Sequence, residues 1–228
     1  MALRARPRRR GGPAFHPRRR AGAARLHDPA WQHADAQPGS DGTGVPLDDR
    51  RVDERRQSVL PAAPAVKTVL IVCHANTARS VMAHVMLERM LADRGVGNIR
   101  VRSGGVANYA RDGMLPSLDA RLVLREIGIA LDERAFASVD LRAHPDLVES
   151  ADVIVTMTDQ QRQMLAPLMD GRRIPVVTLR ELAGGEGDIG DPATLGDDVF
   201  RQCRDEIGRC LAAAFDPLLA LLSRDSPR

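Results

Sequence analysis

The 228-residue chain has only three cysteines, Cys73, Cys203 and Cys210, and a single lysine, Lys67. An odd and sparse set of thiols excludes the dense, even framework that staples small secreted domains, so reduced thiols and a cytoplasmic localisation are expected. Long hydrophobic runs are missing as well: no stretch of about 18 apolar residues could form a bilayer-spanning helix, and no membrane partner is expected. With one lysine, the positive charge is almost all arginine, a bias that fits a GC-rich genome better than a ligand. What remains, 43% hydrophobic and 28% charged residues, is ordinary for a soluble globular protein.

Charge divides unevenly. Residues 1–66 carry 13 arginines against 7 acids, including Arg8-Arg9-Arg10 and Arg18-Arg19-Arg20, whereas residues 67–228 carry 20 basic and 23 acidic residues. The net charge of +3 therefore belongs to the first segment, and a nucleic-acid patch on the rest is not expected. Rich in Pro and Gly and poor in apolar periodicity, residues 1–66 cannot bury enough surface to offset the entropy of ordering. They are predicted to be a disordered extension closing in the linker Leu60-Pro61-Ala62-Ala63-Pro64. A targeting or nucleic-acid-binding arm is the functional alternative for this segment, though its Pro and Gly spoil an amphipathic helix. The length suits one domain, placed at 67–228, plus this appendage.

From Lys67 the texture changes. Thr68-Val69-Leu70-Ile71-Val72 is a continuous β-rich run of the kind a strand buried on both faces shows, and it ends at Cys73. Val81, Met82, Val85, Met86 and Met90 then recur at helical spacing up to about Arg94. Further strands are predicted at 99–102, 152–156 and 174–178, and helices near 118–127, 145–151, 159–169 and 197–215. This alternation predicts an α/β fold, a parallel sheet with helices on both faces. Ligands of such sheets bind beyond the carboxyl ends of the strands, so the loop after the first strand is the candidate site.

That loop is Cys73-His74-Ala75-Asn76-Thr77-Ala78-Arg79-Ser80. The pattern Cys-x5-Arg is weak in so arginine-rich a chain; Cys203 and Arg209 repeat it inside a predicted helix. Context distinguishes the first copy. Between a buried strand and a helix start, the backbone N–H groups of His74, Ala75, Asn76, Thr77 and Ala78 can converge on an anion, and the helix adds its positive end. Such a field lowers the pKa of a thiol, which makes Cys73 a candidate nucleophile. Arg79 offers a planar fork for two phosphoryl oxygens, and Ser80 a hydroxyl directed at the thiolate. The plain alternative is a buried strand-end thiol, a surface arginine and a serine N-cap. Phosphoryl transfer also needs a proton donor. Asp191, followed by Pro192 in an acidic Gly-rich stretch, is the candidate general acid, with Asp188 expected to raise its pKa by like-charge repulsion.

Val69 through Ala83, Arg102-Ser103-Gly104-Gly105 and Asp191-Pro192 together resemble the low-molecular-weight protein-tyrosine phosphatases over roughly residues 67–224. The resemblance implies a four-stranded parallel sheet and a cysteinyl-phosphate intermediate, with no cofactor and no metal. It also implies that Asn76 adopts an unusual backbone conformation and joins Ser80 and Ser103 in holding the loop open, and that the partner is a phosphorylated protein or peptide. This chain departs from the family pattern at Ala75, Ala78, Val81 and Ala193. The last leaves Tyr109 as the aromatic wall of the site. Thr77 stands where tyrosine phosphatases carry a larger aliphatic residue and where relatives resembling protein-arginine phosphatases carry threonine, so phosphotyrosine and phosphoarginine both stay open as substrates. Other classes are a thioredoxin-coupled arsenate reductase using Cys203 and Cys210, and a non-catalytic phosphate-binding module. Cysteines seven apart in a helix lie about 10 Å apart, too far for a disulfide, so core packing is expected for that pair.

Overall fold

The computed structural model describes residues 65–132 and 136–224. Residues 1–64 of the predicted extension lie outside the described residues. Four parallel strands form one sheet in the order β2-β1-β3-β4, where β1 is Lys67–Cys73, β2 Ile99–Gly105, β3 Val153–Thr156 and β4 Val176–Thr178. Along the chain α1 (Arg79–Asp93) lies between β1 and β2, α2 (Leu118–Glu126) and α3 (Pro145–Glu149) between β2 and β3, α4 (Asp159–Leu165) between β3 and β4, and α5 (Leu179–Leu182) and α6 (Asp197–Ser223) follow β4. Among the described residues no helix is long and apolar enough to cross a membrane.

The run 68–72 reads as continuously apolar because successive side chains of a strand point to opposite faces, and both faces are covered. Val69, Ile71 and Cys73 enter the larger core with α1, α2, α5 and α6, while Leu70 and Val72 enter a second core with Val148 of α3 and Leu165 of α4. β1 is thus central in sequence chemistry and in space, and its end delivers Cys73 to the junction of both layers. The strand order reverses at β1, with β2 on one side and β3 on the other, which opens the crevice there.

Several boundaries differ from expectation, and the short helix α5 was not predicted. β2 runs on to Gly105, where the parallel register pairs it with Cys73. β4 begins at Val176 because Pro175 has no N–H to give the ladder; its carbonyl still accepts from the Ile154 N–H at 2.9 Å. The helix predicted over 159–169 ends at Leu165 and tightens into a 3-10 turn over Ala166–Leu168, which contains Pro167. The last helix continues past 215 to Ser223 through Pro217. An interior proline costs about 3 kcal/mol. Phe215, Leu218 and Leu222, all buried in the core, gain roughly 1.5–3 kcal/mol each and outweigh that cost. Its inner face also carries Phe200, Cys203, Ile207, Leu211 and Ala214, as the sequence pattern predicts, with Cys210 only half buried.

Candidate active site

The loop that leaves β1 turns its carbonyls outward. Cys73 O accepts from Val106 N–H, His74 O from Ala107 N–H at 2.9 Å, and Thr77 O from Ser117 N–H at 2.8 Å. The N–H groups are left facing the other way. Asn76 N–H donates to Cys73 Sγ at 3.2 Å, and among the described residues no acceptor faces the N–H groups of Ala75, Thr77, Ala78 and Arg79. α1 begins at Arg79 with no side-chain cap and no acid in its first turn, so its positive end is open to the loop. A concave set of free donors beside a sulfur atom is an anion site.

Buried polar contacts hold this shape. Asn76 has φ +58°, a left-handed conformation that asparagine tolerates better than most residues. Its Oδ1 accepts from Val139 N–H at 3.0 Å, and its Nδ2 donates to Ser80 Oγ at 2.9 Å and Ser103 Oγ at 3.0 Å. The position before α1 is Ala78, so Ser80 is no N-cap; its hydroxyl lies 2.9 Å from Cys73 Sγ. Gly105 explains the end of Ser103-Gly104-Gly105: a Cβ there would meet Ala75 C and His74 O at 2.8 Å, so the loop rests directly on β2 backbone. A Cβ on Gly104 would strike the Leu141 side chain at 2.4 Å.

Arg79 is nearly inaccessible and points across the loop mouth. Nη1 donates to the Ile189 carbonyl at 3.0 Å, and Nη2 donates to Asp191 Oδ2 and to His74 Nδ1, the latter at 3.2 Å. Asp191 Oδ2 is also 3.9 Å from His74 Nδ1, so all three side chains meet at one point. The sequence reading brings Arg79 and Asp191 to one mouth; that they pair with each other, with Ile189 and His74 as further partners, appears only here.

The stretch 184–196 that carries Asp191 is tied down at few places. Ile189 is buried and its N–H donates to Met157 O at 2.8 Å, while Asp191 Oδ1 accepts from Ala193 N–H at 3.2 Å. Asp188 takes a part different from the expected one: its Oδ1 accepts from Asp159 N–H at 2.9 Å, which fastens this stretch to the start of α4. Tyr109 lies in the loop after β2, exposed, its ring centroid 6.5 Å from that of His74. Thr77 is half buried in the loop between β1 and α1. Ala193, which departs from the family pattern, brings no aromatic ring to the site.

Cys203 sits behind the site, its Sγ 3.7 Å from Gly190 O, and burial pushes its thiol up to about 12. Burial raises the Cys210 thiol too. Among the described residues no group of His, Cys, Asp and Glu side chains is arranged to hold a metal ion. One site neighbour escaped the sequence reading: His84, whose Nδ1 is 3.0 Å from Ser103 Oγ. The signal was its position, four residues after Ser80 and so on the same face of α1.

Comparison with known proteins agrees with this geometry. Residues 68–226 match the family described as low molecular weight phosphotyrosine protein phosphatase. A protein-arginine-phosphatase of Bacillus subtilis is 35% identical over 144 residues, 63% of this chain and 91% of the relative; one from Geobacillus stearothermophilus is 32% identical over 140 residues, covering 61% and 87%. A low molecular weight protein-tyrosine-phosphatase of Staphylococcus haemolyticus is 30% identical, covering 61% and 91%. The crystal structure of a YwlE mutant from Bacillus subtilis superposes with a TM-score of 0.60 at 32% identity, covering 67% of this chain and 99% of that one. A second YwlE structure, titled as an arginine phosphatase mutant with a phosphorylated active-site serine, superposes at 0.59 and covers 69% and 97% at 32% identity. The chain is a phosphatase and belongs to the low molecular weight phosphotyrosine protein phosphatase family.

Proposed function

We propose that this chain is a protein-arginine phosphatase that works through a cysteinyl-phosphate on Cys73. The observation that carries the reading is Thr77, a small polar side chain half buried in the loop beside the nucleophile. A pocket wall that can hydrogen-bond rewards a guanidinium more than an aliphatic wall does. Two relatives named as protein-arginine-phosphatases, at 35% and 32% identity, support it.

The reaction follows from the groups assembled. The loop N–H groups take the phosphoryl oxygens, and Arg79 swings from Ile189 and Asp191 to clamp two of them. The Cys73 thiolate, stabilised by Ser80 Oγ and Asn76 N–H, attacks phosphorus in line; the P–N bond breaks and Asp191 delivers a proton to the leaving nitrogen. Water then attacks the S–P bond, Asp191 accepts its proton, and sulfur leaves as thiolate. Departure of Arg79 from Asp191 on substrate binding is the step that frees the carboxyl to carry that proton. A relative trapped as a phosphorylated active-site serine is consistent with a phosphoenzyme. We assign catalysis to residues 67–228 with 1–66 as a dispensable extension, the substrate to phosphorylated proteins or peptides, and the enzyme to the cytoplasm, where a thiolate stays reduced.

Phosphotyrosine is the second reading, supported by Tyr109 beside His74 and by the relative named as a tyrosine phosphatase. The deciding measurement is kcat/KM for phosphoarginine and phosphotyrosine peptides with the parent and with Thr77→Ile. The parent should prefer phosphoarginine, and Thr77→Ile should move the preference toward phosphotyrosine by about 1–3 kcal/mol, tenfold to a few hundredfold. An unchanged preference in Thr77→Ile removes the residue-level basis for phosphoarginine.

A further inference from the structure

Two of the ties on the strap 184–196 go to Arg79, whose Nη1 donates to Ile189 O at 3.0 Å and whose Nη2 donates to Asp191 Oδ2. Both are lost when Arg79 turns to a phosphoryl group, and that is the moment at which Asp191 has to be in place. Besides the burial of Ile189 and Pro192, what holds the strap then is a pair of contacts at consecutive residues. Ile189 N–H donates to Met157 O at 2.8 Å, and Asp188 Oδ1 accepts from Asp159 N–H at 2.9 Å. One such contact alone is a pivot about which the strap can turn. Two side by side fix its direction just ahead of Gly190 and Asp191.

We propose that Asp188 is a positioning residue for the acid step: its hold on Asp159 N–H keeps Asp191 at the mouth of the site once Arg79 has left for the phosphoryl group. This rests on the reading of Asp191 as general acid. The partner of Asp188 is itself braced. Asp159 is the first residue of α4, directly after the Thr158 cap, so its N–H has no acceptor within the helix and is free for a carboxylate. The Asp159 carboxylate, which would otherwise repel that of Asp188, is taken by Arg162 Nε at 2.8 Å and by Gln163 Nε2 at 2.7 Å. Arg162 also grips Glu181 of α5 through Nη1 and Nη2, each at 2.9 Å, and the strap begins just beyond that helix. The first turn of α4 thus steadies both the root and the middle of the strap. Because Asp188 is exposed, water competes for its bond, so its loss loosens the acid rather than unfolding the chain.

In the full chain, kcat/KM is measured for phenyl phosphate and para-nitrophenyl phosphate, whose leaving oxygens differ in their need for a proton. Asp188→Ala should lower it by about three- to tenfold for phenyl phosphate and by about twofold or less for para-nitrophenyl phosphate, because the first leaving group depends more on the acid. Asp188→Asn keeps an oxygen that can accept from Asp159 N–H and should recover most of the loss. An asparagine variant as impaired as the alanine one would trace the effect to charge and overturn the assignment. Asp159→Pro removes the N–H from the other side. Proline suits the first helical position, and Thr158 before it is already extended, with φ −141° and ψ 158°, so this variant should fold and repeat the alanine pattern. Adding Asp188→Ala to it should cost nothing further. Asp159→Ala keeps the N–H and should lose less; a loss equal to that of Asp159→Pro, additive losses in the double variant, or equal losses on both substrates in Asp188→Ala all overturn the assignment. If Asp159→Pro does not fold, the comparison of alanine with asparagine at position 188 decides. Asp191→Asn that weakens both substrates alike would sink the general-acid reading itself. Asp191→Asn that weakens phenyl phosphate more, beside an Asp188→Ala enzyme like the parent, would sink only the part given to Asp188.

Discussion

Two loops meet at this site and are held in opposite ways. Residues 73–80 are mostly buried, with an interior network running from Val139 through Asn76 to Ser80 and Ser103, and their backbone rests on Gly105. Residues 184–196 are mostly exposed, with left-handed backbone at Gly184, Gly187, Thr194 and Gly196 and with Ile189 and Pro192 as their buried apolar anchors. The difference matches the tasks proposed for them. A thiolate and its anion site must be formed before substrate arrives, since reorganising dipoles during the reaction would cost the advantage of having them. An acid that is paired with Arg79 at rest and with a leaving group in turnover has to move, so a lightly tied strap is the fitting carrier.

Breaking each loop should therefore do different things. The largest effect belongs to Cys73→Ser, which should abolish turnover of an aryl phosphate while Cys203→Ser leaves it nearly intact; thioredoxin-coupled arsenate reduction that vanishes in the Cys203→Ser variant would point to a relay instead. Asp191→Asn comes next. Loss of one general acid should lower kcat by about 10²–10⁴-fold, and since the amide oxygen can still accept from Arg79, the melting temperature should hardly change. A loss confined to KM would mean the strap only binds.

Asn76→Ala sharpens the contrast, because it attacks the preformed loop without touching the reacting atoms. It removes three buried hydrogen bonds and a side chain suited to φ +58°, so urea unfolding should show a loss of about 2–4 kcal/mol together with a fall in kcat of about tenfold or more. Stability lost without activity would make the network scaffolding alone. The smallest effect is expected at the rim, where His144 Nε2 and Asp112 Oδ2 are 2.9 Å apart and exposed. The Asp112 side-chain hydrogen bond raises the His144 pKa, and the Asp140 backbone N–H, then His144, lower that of Asp112. Stability from the histidine is present at low pH and lost as pH rises through its raised value; stability from the carboxylate is present at high pH and lost as pH falls through its lowered value. His144→Leu should thus reduce the melting temperature slightly between about pH 4 and 6.5 and leave it unchanged above about pH 8. An equal reduction at every pH would trace the effect to packing.

The order of these effects follows what could be read before folding. Short-range patterns carried β1, the sheet class and the phosphate loop, because a strand buried on both faces must be continuously apolar and an anion site at a helix start needs its residues adjacent in sequence. Boundaries at Pro175, Pro167 and Pro217 were harder, since a proline's local cost is offset or not by burial elsewhere. Asp188 shows the limit most clearly. Three residues from Asp191, it reads as a charge set against it, yet the chain turns its carboxylate to the Asp159 N–H of another element.

By itself, the sequence determined the setting of the proposed nucleophile and the candidates for the site: Cys73, Arg79 and Ser80 share one eight-residue loop, and Asp191-Pro192 is a separate carboxyl waiting for a fold to bring it near. Only the tertiary structure decided how they engage. The Arg79 pairing with Asp191 spans 112 residues, the Asn76 bond to Ser103 spans 27, and the His84 bond to Ser103 spans 19. Hydrogen bonds over such separations have no sequence period; they exist because strands β1 and β2 lie side by side and α1 lies over them, and that packing is set by the whole core rather than by the residues that meet.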